Sequence, residues 1–275
     1  MNKGYVVCVA IVASCLMING CSFNGGDLLG VDIRLFKGTS WALAKAVKDD
    51  DTAKIKQIIA EHKVSVNYQE PKFGETLLLW AVWTNHYKSA KVLLECGADP
   101  NMQSYGDGNS PFTYAADKFE TSDYVKLLLV YKANPNAVTK NDSTNMFCTP
   151  LITAAYCRLE SVKLLVNAGA NINYTAKNYR CALLSALQFK KVDIVRYLLI
   201  DKGANFNKPF GKTIDGKSIM ITDLLRDWLF PLNSSEYKNK MEIVAFLKTR
   251  GMDYSKAAIP RHYYKHYTKD YLSKY

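Results

Sequence analysis

Apolar positions between Thr149 and Asn173 recur at helical spacing. Leu151 and Ala154 are three apart, as are Val162 and Leu165, so each pair lies on one face of a helix. The pattern predicts two short helices in succession. Thr149 can cap the first from outside, and Pro150, with its fixed φ and missing N–H, suits the first turn. Gly169 supplies the positive φ that ends the second helix.

The same pattern returns along the chain. Asparagines that close each copy stand at 67, 101, 136, 173 and 207, in steps of 34, 35, 37 and 34. They divide the sequence into units near 40–74, 75–109, 110–148, 149–180 and 181–215. Trp41, Leu43 and Ala46 mark the first helix of the first unit, and Ile55, Ile58 and Ile59 the buried face of its second. The acids Asp49-Asp-Asp51 between them favour the positive end of the following helix rather than a cation site. Thr76-Leu-Leu-Leu-Trp-Ala81, Ser110-Pro-Phe-Thr-Tyr-Ala115 and Cys181-Ala-Leu-Leu-Ser-Ala186 repeat the Thr149 stretch with losses. A longer connection, Ala137 to Cys148, enters the fourth unit. A degenerate unit follows at 216–254, with helices expected in Met220–Phe230 and Met241–Leu247 and an insertion from Pro231 to Asn239. Terminal units of a stack are atypical because one face meets water.

Thr-Pro-Leu at the start of the best-preserved copy and Gly-Ala-Asn-x-Asn at its end resemble the ankyrin repeat. The resemblance implies an all-α solenoid of about five to six helix-turn-helix repeats joined by short hairpin or finger turns. It also implies that other proteins are gripped on a concave surface formed by the fingers and the open side of each first helix. Carried over by position, the first-helix candidates are Trp80, Trp83, Tyr114 and Tyr156. The finger candidates are Phe73, Tyr105, Phe147, Tyr179 with Arg180, and Phe210. Aromatic residues and arginine dominate interface energetics because they bury large surface at low entropic cost. Leu77 to Trp83 is an almost unbroken apolar run, so one of its tryptophans can equally belong to the core.

Composition narrows the partner. The chain has 275 residues, 48% of them apolar, which supports a sizeable core and excludes a disordered chain. Its 36 Lys and Arg against 25 Asp and Glu give a net charge of +11. That balance favours a partner with an acidic surface, or an anionic membrane. Nucleic acid is not expected, since the basic residues are scattered rather than clustered.

The N-terminus reads as an address. Lys3 precedes an uncharged stretch from Gly4 to Gly20, the arrangement of a secretory signal and a little short for a membrane span. Ile18-Asn19-Gly20-Cys21 resembles the lipobox of bacterial lipoproteins, which implies cleavage after residue 20 and acylation of Cys21. Val12-Ala13-Ser14-Cys15 fits the same pattern but leaves a very short signal. Residues 21–39, rich in glycine, then form a tether and linker that partly docks. Loss of Lys3 leaves 11 − 1 = +10 on the mature chain. The expected place is the bacterial envelope, lipid-anchored and facing the periplasm, on the outer membrane in a Gram-negative cell.

Of the cysteines left after cleavage, Cys96, Cys148, Cys157 and Cys181 read as buried small side chains, because adjacent repeats lie too far apart for an easy bridge. No Cys-x-x-Cys pair occurs. His262 and His266 have the spacing of a two-histidine metal site on a helix, but Tyr263 stands where a glutamate is needed and no third ligand is apparent. No nucleophile elbow, phosphate loop or paired carboxylates point to catalysis. The protein is therefore read as a non-enzyme without cofactor, metal or small-molecule substrate. The tail 255–275 is basic and tyrosine-rich. Pro260 is placed to begin a helix with Tyr263, Tyr267 and Tyr271 along one side, which can rest on anionic lipid or cover the end of the last repeat. Ankyrin-like lipoproteins of this kind include immunity proteins that neutralise antibacterial effectors such as lipases, and that role is expected here. The alternative is a scaffold for a resident envelope enzyme.

Substituting Cys21→Ser should abolish incorporation of a clickable fatty acid in growing cells. Labelling that persists in Cys21→Ser and disappears in Cys15→Ser would move the lipid to Cys15.

Overall fold

The computed structural model describes residues 32–105, 108–118, 120–139, 148–176 and 179–274. Cys21 and Phe147 lie outside them. Thirteen α-helices are found among the described residues, and no β-strand. Five stacked pairs come first: α1 Trp41–Lys48 with α2 Thr52–Ala60, α3 Leu77–Trp83 with α4 Tyr87–Glu95, and α5 Pro111–Ala116 with α6 Asp123–Val130. Then follow α7 Pro150–Ala154 with α8 Leu159–Asn167, and α9 Ala182–Gln188 with α10 Val192–Arg196. A sixth pair, α11 Ile221–Arg226 and α12 Ser235–Thr249, ends the stack, and the short α13 Lys269–Ser273 lies in the tail.

The first helices start alike because one residue caps each of them. Thr76, Ser110 and Thr149 accept the backbone N–H of the third residue on, and Cys181 accepts it through sulfur. At Ser110 the arrangement is reciprocal, with Thr113 Oγ1 accepting from the Ser110 N–H at 2.8 Å. In the first repeat Asp51 caps the second helix, accepting from the Lys54 N–H at 2.9 Å. Its neighbour Asp50 accepts from Ser89 Oγ at 2.6 Å, so the acid cluster serves folding.

The closing asparagines join one repeat to the next. Asn67 Oδ1 accepts from the Asp99 N–H (2.8 Å), Asn101 from Asn134 (2.7 Å), Asn136 from Asn171 (2.7 Å) and Asn173 from Asn205 (2.8 Å). The Asn136 amide also donates to the Gly169 carbonyl at 3.0 Å. The glutamines of the first fingers do the same, Gln69 donating to the Gln103 carbonyl at 2.9 Å and Gln103 to Val138 at 2.7 Å. Between these polar ladders the apolar faces form one continuous core, from Ile33 and Phe36 to Ile243 and Leu247.

Three local departures from the expected pattern have physical causes. From Val195 to Gly203 is eight residues, where Val162 to Gly169 is seven, and the extra residue is absorbed by a π turn at Tyr197–Asp201. The insertion at 231–239 is half helical, because Ser234 caps α12 by accepting from the Tyr237 N–H at 3.1 Å. The tail covers the end of the last repeat, one of the two expectations for it. Leu272 is fully buried, Tyr263 Oη donates to the Asp227 carbonyl at 2.9 Å, and Tyr237 Oη donates to the Lys274 carbonyl at 2.8 Å. The three tyrosines do form a ladder, with ring centroids 6.2 Å apart at Tyr263–Tyr267 and 5.1 Å at Tyr267–Tyr271. They do not share one helix: Tyr263 stands on a 3-10 turn, Arg261–Lys265, Tyr271 on α13, and Tyr267 between the two. The four cysteines described are free thiols; Cys157 and Cys181 are buried, Cys96 and Cys148 half-buried.

Under this cap lies Lys240, fully buried. Its ammonium donates to the Trp228 carbonyl at 2.8 Å and lies 5.3 Å from the Tyr254 ring centroid. Burial first, then the positive charge of Arg226, pushes its pKa down to about 7 from 10.5. The unfolded chain therefore holds a proton between these values that the folded chain lacks, and this group makes stability rise with pH across that window. The buried thiols Cys157 and Cys181, whose pKa values burial raises, work in the opposite direction. Measured as the stability difference between wild type and Lys240→Met, which cancels the thiols, the advantage of wild type should grow by up to about 1.4 kcal/mol per unit from pH 7.5 to 9.5. A flat difference in urea titrations would refute the assignment.

Candidate protein-binding surface

Counting from the cap residue aligns the first helices. The seventh position after Thr76, Ser110, Thr149, Cys181 and Met220 holds Trp83, Asp117, Tyr156, Gln188 and Asp227. The eighth holds Thr84, Lys118, Cys157, Phe189 and Trp228. Stacking turns these positions into a row at the open end of the first helices. Trp83 meets Tyr114 of the next repeat edge to face, with centroids 4.6 Å apart. Tyr156 meets Phe189 at 5.0 Å. All four rings are half-buried.

Asp117 holds the seventh position of the repeat between those of Trp83 and Tyr156. Tyr156 Oη donates to its carboxylate, and Cys157 Sγ lies 3.8 Å from the same oxygen. Burial outweighs both hydrogen bonds and raises the Asp117 pKa above the usual aspartate value. Lys118 directs its ammonium to the Trp83 carbonyl (3.4 Å) and over the Tyr124 ring (5.3 Å). Burial lowers the Lys118 pKa in turn.

Two of the sequence-predicted binding residues are core residues. Trp80 is only 5% exposed and stacks on His86 at 4.8 Å. It sits in α3, where every residue from Leu77 to Val82 is buried because the helix is covered on both sides by neighbouring repeats. Phe210 is 8% exposed and stands on the stem of its finger, held by a hydrogen bond from its N–H to the Ile219 carbonyl at 2.8 Å.

The remaining described finger residues do reach the surface. Phe73 is half-buried, with the Lys72 ammonium 4.6 Å from its ring centroid. Tyr105 is 67% exposed, yet its ring covers Gly74 so closely that a Cβ there would collide with it. The Tyr105 N–H donates to the Phe73 carbonyl at 2.6 Å, which ties the first two fingers together. Tyr179 is 41% exposed and takes a positive φ of 64°, a strained conformation for an aromatic residue, beside the half-buried Arg180. Glu70 is buried and turns its charge inward, accepting from the N–H groups of Lys72 (2.7 Å), Phe73 (2.5 Å) and Glu75 (3.3 Å). The exposed charges described on the finger side are thus mostly basic: Lys72, Lys208, Lys212 and Lys217, with Asp215 bonded to Thr213.

The family description "Ankyrin repeats (3 copies)" matches residues 14–104 and 112–209. The chain belongs to the ankyrin-repeat family. Over 148 residues it is 35% identical to Protein PhlB of Serratia liquefaciens, covering 52% of this chain and 60% of that one. It is 30% identical over 158 residues to human neurogenic locus notch homolog protein 2, covering 57% of this chain and 6% of the relative. A putative ankyrin repeat protein of Acanthamoeba polyphaga mimivirus, L92, is 37% identical over 79 residues, which cover 28% of this chain and 18% of that protein. The chain spans less than two thirds of each of these relatives. Among solved structures, the ankyrin repeat protein EF0377 superposes with a TM-score of 0.53 at 27% identity, covering 74% of this chain and 96% of that one. Ankyrin repeats are protein-interaction scaffolds, and no enzyme family matches. Among the described residues no helix is long and apolar enough to cross a membrane, and no cluster of His, Cys, Asp and Glu can hold a metal ion.

Phe189, Asp117 and Lys118 escape a search for aromatic residues in single repeats. Only the count from the cap, compared between ankyrin repeats, places them beside Trp83 and Tyr156. The difference between the two tryptophans of α3 is testable. Trp80→Ala should cost about 3–5 kcal/mol of unfolding free energy, and Trp83→Ala no more than about 1–2 kcal/mol, by urea denaturation.

Proposed function

We propose that this chain is a non-enzymatic binding protein whose partner docks along Trp83, Tyr114, Tyr156 and Phe189 and onto the fingers at Phe73, Tyr105, Tyr179 and Arg180. The observation that carries this is the two half-exposed ring pairs, each made between neighbouring repeats at the open end of the first helices. Each ring is already held by a neighbour, so little entropy is lost when a partner covers it. The basic finger side supports a partner with an acidic surface, drawn in by long-range attraction.

The lipobox-like sequence at Cys21 supports a tethered protein, acylated there and held in the periplasm against the membrane. We further propose that its role is to capture and neutralise an antibacterial effector, a lipase being one class that acts at the same membrane.

The test is capture of the partner from envelope extract by the full chain. Trp83→Ala combined with Tyr156→Ala should reduce recovery at least tenfold with melting kept within a few degrees. Lys72→Glu with Lys212→Glu should slow association and weaken its salt dependence. Equal recovery by the ring variant would exclude this surface, and turnover of the captured partner as a substrate would exclude a non-enzyme.

A further inference from the structure

The docking surface proposed above contains one group that does not fit an acidic partner: the carboxylate of Asp117, bonded to the Tyr156 hydroxyl. Resting on that reading of the surface, we propose that Asp117, Trp83, Tyr114, Tyr156 and Phe189 form a subsite for a cationic side chain of the partner, an arginine. Four observations lead to it.

First, Asp117 holds the seventh position in the repeat between those of Trp83 and Tyr156, whose rings pair with Tyr114 at 4.6 Å and with Phe189 at 5.0 Å. Ring faces attract a cation through their quadrupole, and the attraction strengthens where water is displaced. Second, among the described residues the donors that reach the carboxylate, Tyr156 Oη and Cys157 Sγ, are neutral. A carboxylate has about four acceptor sites, so two such bonds leave room for a guanidinium fork. Third, the adjacent Lys118 sends its ammonium to the Trp83 carbonyl and the Tyr124 ring. Fourth, the carboxylate is largely taken out of water, which raises its pKa, so an arriving cation restores an interaction that solvent no longer supplies. A guanidinium suits a carboxylate beside aromatic rings better than an ammonium. It is planar, stacks on rings, sheds water at lower cost and bonds a carboxylate through two N–H groups.

The probe is the peptide acetyl-Gly-Arg-Gly-amide, with citrulline and glutamate counterparts, titrated into the full chain while the Trp83 indole N–H is followed by NMR. The arginine peptide should give a saturable shift with a Kd on the order of millimolar, and the uncharged citrulline peptide should bind at least fivefold more weakly. Asp117→Asn should weaken the arginine peptide about tenfold. Asp227→Asn, the same change at the same register of the last repeat, where Lys190 and Tyr263 engage the carboxylate, should leave it within twofold. Equal binding of citrulline and arginine peptides, or unchanged binding by Asp117→Asn, overturns the proposal. The citrulline comparison uses wild-type protein and does not depend on how a variant folds. A saturable shift with the glutamate peptide alone overturns the cation subsite and leaves the docking surface standing.

Discussion

Each repeat here is finished by its neighbour. The N–H of Asn171 finds its acceptor on Asn136 of the preceding repeat, and the carbonyl of Gly169 finds its donor on the same side chain. A helix of five residues such as α7 has too few intrahelical bonds to hold itself in water. It exists because α5 and α9 cover it, and the asparagine ladder fixes the step at which they do so. Individually these hydrogen bonds are worth about 1 kcal/mol each and lie near the surface. Their effect is register: once the step is fixed, every seventh and eighth position after a cap falls in line with those above and below.

The candidate surface follows from that alignment rather than from any single repeat. Trp83 and Tyr114 occupy different positions within their helices and touch because one repeat is displaced against the next. Tyr156 and Asp117 share the seventh position, and stacking brings the Tyr156 hydroxyl to the carboxylate of the preceding repeat. The ends of the stack show what happens without a neighbour. Phe36 and Ile33 close the first repeat, while the tail closes the last with Tyr254, Tyr263 and Leu272. The far cap encloses Lys240, whose burial is tolerated because a backbone carbonyl and a ring face it.

Most of the architecture was legible because its signals are local. Thr149 and Pro150 announce a helix start by chemistry that acts within one turn, and the closing asparagines recur at near-constant steps. The π turn at Tyr197–Asp201 was not anticipated, although its cause, one residue more between Val195 and Gly203 than between Val162 and Gly169, is a property of the sequence. What the sequence hid is burial from two sides. In an isolated amphipathic helix Trp80 and Trp83 lie almost on one face, three residues apart. In a stack that face is divided, the part toward α5 covered and the part beyond the helix end left open. Periodicity has no term for this. Phe210 misled for a related reason: a finger has a stem that packs as well as a tip that projects, and distance along the chain does not separate them.

Charge distribution then bears on selectivity. A net +11 chain with exposed lysines along its fingers attracts acidic surfaces of many kinds, and such attraction mainly speeds encounter. Asp117 acts at shorter range and in the opposite sense. A partner that is acidic throughout brings a carboxylate against it, among rings where water cannot screen the repulsion, and is disfavoured by that contact. A partner that is basic throughout is repelled by the fingers before it arrives. The surface that satisfies both is acidic at its edges with a single cation at its centre, a pattern rarer than either charge alone. Aromatic walls add area without adding charge preference. The discrimination therefore resides in one half-buried carboxylate placed where stacking brings the rings of successive repeats together.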